Sequence, residues 1–147
     1  MKLLFRISLL TVTVWIVVFT AVVFARQSTL VDDINTIGDS IPSFLEVFNS
    51  KPYFSADNGT KGMELWVYDE VNKPKMVDDI NTIGDSIPSF LEVFNFKLYF
   101  SATDGVKGKE LFVYDGINPP SMVHDINPSG DSSPTGLTVF DSKLYFS

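Results

Sequence analysis

Three blocks place a serine behind a Gly-Asp pair: "GDSI" at Gly38 to Ile41 and at Gly84 to Ile87, and "GDSS" at Gly130 to Ser133. Such a serine can attack an acyl carbon when a histidine, oriented by a carboxylate, takes its proton and nearby donors receive the oxyanion. The chain has a single histidine, His124. It falls in an expected strand, where two other copies of the same segment carry Asp32 and Asp78. A hydrolase needs its nucleophile block once, whereas Ser40, Ser86 and Ser132 repeat it three times. The pattern therefore predicts a turn, with glycine at positive φ and the Asp and Ser side chains bonding back to the turn backbone. Pro42, Pro88 and Pro134 would open the strand that follows. No catalytic residue is expected.

Other chemistries are weighed in the same way. The loops "SADNGTKG" and "SATDGVKG" bring Asp57, Asn58 and Asp104 close to backbone carbonyls, and calcium takes several oxygen ligands. Neither loop has EF-hand spacing and each supplies one carboxylate at close range, so Asp57 and Asp104 are the calcium candidates and a turn is the simpler role. No cofactor is expected. Asn58-Gly59-Thr60 is a glycosylation sequon, meaningful in a eukaryotic source. Trp66, Tyr68, Phe112 and Tyr114 could stack on sugar, but buried packing accounts for the same aromatics. With no cysteine there is no disulfide, thiolate or zinc–cysteine chemistry. A net charge of -7 without a basic cluster excludes a nucleic-acid surface.

The elements that would position these residues follow from an internal repeat. "VDDINTIGDSIPSFLEVFN" occurs at Val31 to Asn49 and unchanged at Val77 to Asn95, and "VHDIN" begins a third copy at Val123. The period is 46 residues, giving repeats at 31–76 and 77–122 and a partial one at 123–147. Copies one and two share about three-quarters of their residues. Within one period four strands are expected, over Ser43–Phe48, Pro52–Ala56, Glu64–Asp69 and Lys75–Ile80, because aromatic and β-branched runs alternate with Asn, Gly, Asp and Pro. A lone strand is expected in "STLVDDI". "FLEVF", "YFSA" and "LWVY" carry large side chains on both faces, so each sheet must be covered on both sides. Blades of a β-propeller meet this condition. The expected fold is all-β, with tandem four-stranded antiparallel propeller-type blades forming an incomplete ring across 26–147.

"GMELWVYDE" (Gly62 to Glu70), "GKELFVYDG" (Gly108 to Gly116) and "DINPSGDSSPTGLTVFDSKLYFS" (Asp125 to Ser147) resemble the ELWxxDGT repeats of secreted, mostly bacterial proteins. The resemblance runs from Leu30 to Ser147. Phe112 departs from it where the tryptophan belongs, Glu70 where the glycine belongs, and "TIGDSI" replaces "PSGDSS" in two copies. It implies a propeller-like array at the cell surface and no general enzymatic activity. The "GDSI" blocks alone look like the nucleophile block of GDSL-type esterases, but only fragments of that constellation are present.

Residues 1–25 differ in kind. Lys2 and Arg6 precede an uncharged stretch from Ile7 to Ala25. This reads as a signal helix cleaved after Ala25, or as an uncleaved anchor crossing the membrane through residues 7–25 with the repeats outside. The chain is therefore expected to be secreted, periplasmic or at the cell surface. The expected function is non-enzymatic contact with a protein or glycan there. The alternative is a truncated piece of a larger secreted propeller protein, such as a hydrolase whose active site lies outside this chain. The last strand, "KLYFS", would present an unpaired edge open to self-association.

Overall fold

Aromatic and β-branched runs separated by Asn, Asp and Gly fold back on one another as antiparallel meanders. The computed structural model describes residues 30–147. The expected leader helix and its cleavage position after Ala25 lie outside the described residues. Strands β1 (Ser43–Phe48), β2 (Lys51–Asp57), β3 (Met63–Val67) and β4 (Lys75–Asp78) form one sheet in sequential order. Strands β5 (Ser89–Phe94), β6 (Lys97–Thr103), β7 (Lys109–Tyr114) and β8 (Ser121–His124) repeat it one period later, and β9 (Thr138–Phe140) pairs with β10 (Lys143–Tyr145). The described region is all-β. It contains no helix, and hence none long and apolar enough to cross a membrane.

Local chemistry sets the punctuation. Each unit turns after its first strand through two residues at positive φ: Asn49 and Ser50, Asn95 and Phe96, Asp141 and Ser142. Both central residues in the left-handed region define a type I′ hairpin, whose twist matches that of the strands it joins. Upstream, an extra residue bulges β1 between the pairs Ser43↔Ser55 and Glu46↔Tyr53, and β5 does the same. The bulge holds Phe44 at φ 52 and Phe90 at φ 54, while the third copy places Gly136 there at φ 61. A phenylalanine in that region carries strain that glycine does not.

Two expected strands end early. β3 stops at Val67 because Asp69 turns the chain, its carboxylate accepting the Val71 and Asn72 N–H groups at 3.1 and 2.7 Å. β4 and β8 stop at Asp78 and His124 because the Ile80 and Ile126 amides are drawn to glutamate side chains instead. The lone strand expected in "STLVDDI" does not form in its described part, residues 30–34.

The core lies between sheets. Tyr53, Leu65 and Val67 share one face of the first sheet and pack with Phe48 against Leu91, Leu98, Phe100, Ala102 and Phe112 of the second. The other face of the first sheet buries Phe54, Ala56 and Trp66 with Ile34, Tyr68 and Met76. Both faces of that sheet are thus apolar and covered, as the side-chain pattern requires. Each of these large side chains stabilises the fold by about 1.5–3 kcal/mol when removed from water.

Candidate functional site

Among the described residues a polar cluster joins successive units, and it is built twice. In β3 the pairing places Glu64 opposite Ala56, pointing off the sheet, with no solvent exposure. Its Oε2 accepts the Ile80 N–H at 3.0 Å and the Ser86 hydroxyl at 2.6 Å, and its Oε1 accepts the Ser86 N–H at 3.0 Å. One residue earlier, the Met63 N–H donates to Asp85 Oδ1 at 2.8 Å. The Met63 carbonyl accepts the Ser86 and Ile87 N–H groups at 3.0 and 3.1 Å. One period on, Glu110 receives Ile126 N–H, Ser132 N–H and the Ser132 hydroxyl at 3.0, 2.9 and 2.6 Å, while Lys109 N–H donates to Asp131 at 2.7 Å.

The loop that supplies these donors is shaped before it meets the strand. Asn81 holds it from inside, its Nδ2 donating to the Asp85 carbonyl at 2.9 Å; Asn127 does the same for Asp131. Close approach then demands glycine on the strand side. Gly62 sits at φ +76 with Asp85 against it, so a Cβ there would fall 2.2 Å from the Asp85 carboxylate oxygen. At Gly108 a Cβ would fall 2.8 Å from the Gly130 backbone. The joint therefore reads Gly-x-Glu-Leu-aromatic on the strand and Ile-Asn-x-x-Gly-Asp-Ser on the loop.

Burial of a carboxylate is costly unless donors surround it. Burial pushes the Glu64 carboxyl up to about 7, with the Asp79 charge adding to the rise, and its three donors pull it back only partly. Lys61 neutralises Asp79 across the joint at 2.7 Å, and Lys107 approaches Asp125 at 3.8 Å in the second joint. Such exposed pairs contribute little by themselves.

The residues singled out for chemistry separate. Ser86 is fully buried and bonded to Glu64, so its hydroxyl serves as a donor inside the joint. His124 is exposed on β8 opposite Leu111, and among the described residues no hydrogen bond joins it to any of the three serines. The turn expected at "GDSI" lies upstream of it, over Asn35 to Gly38 and Asn81 to Gly84, where the glycine N–H donates to the asparagine carbonyl at 3.4 and 3.1 Å; two further corrections concern the block itself. Gly38 and Gly84 do not adopt positive φ; Ile41, Ile87 and Ser133 do. In the second and third copies, Asp and Ser bond across to the preceding sheet's strand instead of back to their own turn. The serine of the motif was visible in the sequence; its glutamate partner, 22 residues upstream, was not, because a lone buried carboxylate has no local signature.

Asp57 Oδ1 accepts the Gly59 N–H at 2.7 Å, and Asp104 Oδ1 accepts the Val106 and Lys107 N–H groups at 2.9 and 2.8 Å. The two are not period-equivalent: Asp57 matches Thr103, and Asp104 matches Asn58. Among the described residues no group of three or more acidic or histidine side chains could hold a metal ion. The aromatic quartet does not form one platform. Trp66 is buried on one face of the first sheet, and Phe112 stacks on Phe100 between sheets at 6.1 Å. Tyr114 packs against Tyr53 and Phe48 at 5.9 and 6.3 Å. No family model, curated protein or solved structure matches the chain.

Proposed function

We propose that the chain is an exported, non-enzymatic repeat protein whose sheets are propeller-type blades and whose role is protein contact at the cell surface. The observation that carries this reading is the duplicated joint. A Glu–Ser clasp with an apolar sheet-to-sheet core lets identical units stack in series, and it engages two of the three motif serines, Ser86 and Ser132. The propeller geometry draws support from where the units approach. The first strands lie nearest one another, with the Phe44 and Phe90 rings 5.5 Å apart, so the sheets converge along β1 and β5. Sheets that converge at their first strands and alternate apolar faces are what a radial array needs. Export draws support from Lys2, Arg6 and the uncharged run to Ala25.

An epitope tag placed after Ser147, followed by protease shaving of intact cells and fractionation of the medium, tests this reading. The tag is expected in the medium or lost from the cell surface on shaving. A tag that stays protected in the cytoplasm overturns it.

A further inference from the structure

The loop between β2 and β3 holds the only Asn-Gly pair of the chain, Asn58-Gly59. Glycine after asparagine leaves the next backbone nitrogen without a Cβ beside it, so that nitrogen can close on the side-chain amide. Two further features of this loop bear on that closure.

The amide oxygen is surrounded by donors. Asn58 Oδ1 accepts the Thr60 N–H at 3.0 Å, the Thr60 hydroxyl at 3.0 Å and the Lys61 N–H at 2.8 Å. Two of these donors are backbone N–H groups, which identifies the atom facing them as the oxygen. Charge building on that oxygen when Cγ becomes tetrahedral is met by three hydrogen bonds already in place.

The nitrogen that would attack is bonded to a carboxylate. Gly59 N–H donates to Asp57 Oδ1 at 2.7 Å. A carboxylate at that distance can accept the proton as the nitrogen adds to carbon. Asn58 is only partly buried and Thr60 is exposed, so water reaches the loop.

The period-equivalent loop shows that an acidic residue fits the turn. Asp104 stands where Asn58 stands, and its Oδ1 accepts the Val106 and Lys107 N–H groups at 2.9 and 2.8 Å. The nitrogen there meets a hydroxyl instead of a carboxylate, since Gly105 N–H donates to Thr103 Oγ1 at 3.0 Å.

We infer that Asn58 is a self-modifying residue, converted by its own loop through a cyclic imide to aspartate and isoaspartate. The Gly59 nitrogen forms a bond to Asn58 Cγ, and its proton passes by way of the Asp57 carboxylate to the departing Nδ2. The Cγ–Nδ2 bond breaks and ammonia leaves, with no oxidant or cofactor. Water then opens the imide. Attack at Cγ gives aspartate; attack at the Asn58 backbone carbonyl carbon gives isoaspartate. Each product adds one negative charge to the loop. Aspartate reproduces the Asp104 turn, whereas isoaspartate lengthens the backbone by a methylene. Space for that is short, because even a Cβ on Gly59 would fall 2.6 Å from Asn35 Oδ1. The isoaspartate form must therefore shift the loop away from Asn35. None of this depends on where the protein is located.

The test is incubation of the full-length chain at neutral pH, in mild detergent and heavy-oxygen water, followed by mass spectrometry of the proteolytic peptide containing Asn58. Heavy oxygen is expected at residue 58, with the other asparagines intact. The folded chain should react at least about tenfold faster than the chain unfolded in urea, a small part of what a positioned base contributes. Asp57→Asn keeps an acceptor for the Gly59 N–H but removes the base, and Thr60→Val removes one donor to the developing oxyanion. Each should slow the folded rate about tenfold while leaving the circular dichroism spectrum unchanged. A folded chain that reacts no faster than the unfolded one overturns the inference, because the turn would then act as a clamp. So does a folded rate that either variant leaves unmoved, which would trace the reaction to the Asn-Gly pair alone. Each of these failures leaves the export test standing.

Discussion

Residues 31–49 and 77–95 are the same nineteen amino acids in two settings. Their backbones agree closely: φ is 44 and 49 at the isoleucines, 52 and 54 at the bulge phenylalanines, and 50 and 48 at the turn asparagines. Their surroundings do not. The second copy lies against the first sheet, so Ser86, Pro88, Ser89 and Leu91 are buried, while Ser40, Pro42, Ser43 and Leu45 keep contact with solvent. Identical sequence reproduces identical local structure, because turns and bulges are decided by φ preferences and short-range bonds. It does not reproduce burial, which depends on what the next element brings.

The largest expected consequence is in the core. Leu91→Ala should destabilise by about 2–4 kcal/mol through lost burial and a residual cavity, whereas Leu45→Ala should cost less than about 0.5 kcal/mol. Urea denaturation of the two variants checks this, and equal costs would mean that copy one is covered as fully as copy two.

Next comes the buried glutamate. Glu64 has its folded pKa raised from an ordinary 4.5 to about 7. The stability this gives is fully present below about pH 4.5 and is lost as pH rises through 7, a fall on the order of 3 kcal/mol. Among the described residues, the loop at residues 34–42 receives no such carboxylate. Glu64→Gln should flatten that slope while giving up an acceptor in the joint. At the acid end the sign reverses. The Asn72 N–H groups and Val71 N–H hold Asp69 at about 2, and Asn118 with Ile117 holds Asp115 at about 2, so their contribution disappears as pH falls through that value. Thermal melts from pH 2 to 8 read both limbs.

Ser86→Ala leaves the Glu64 carboxylate short of one buried donor and should cost about 1–2 kcal/mol; Ser40→Ala should be nearly neutral for stability. The same denaturation series separates them, and a costly Ser40→Ala would place that hydroxyl in a structural bond within the chain. Smallest of all is Phe44→Gly. Relief of about 1 kcal/mol of strain at φ 52 offsets lost contact with Phe90, so the net change should stay within about 1 kcal/mol. Gly136 already shows the glycine form of this bulge.

Much of the fold was legible in the residues. The 46-residue period, four strands per unit, the Asn-initiated hairpins and the two-sided apolar pattern all follow from composition at short range. The joint was legible only in halves. "GDSI" announced a turn, and "ELW" announced a strand, but nothing in either stretch says that the serine of one clasps the glutamate of the other. That pairing spans 22 residues and two sheets, and hydrogen bonds of that reach leave no periodicity to read.

The sequence by itself determined the units, because backbone preference and side-chain alternation act within a few residues. Only the tertiary structure decided which copy of an identical segment is core and which is surface, where the Glu64 carboxylate lies, and why two glycines are required at Gly62 and Gly108. The physical reason is that desolvation and close approach belong to pairs of elements, and a chain segment cannot carry its neighbour in its own residues.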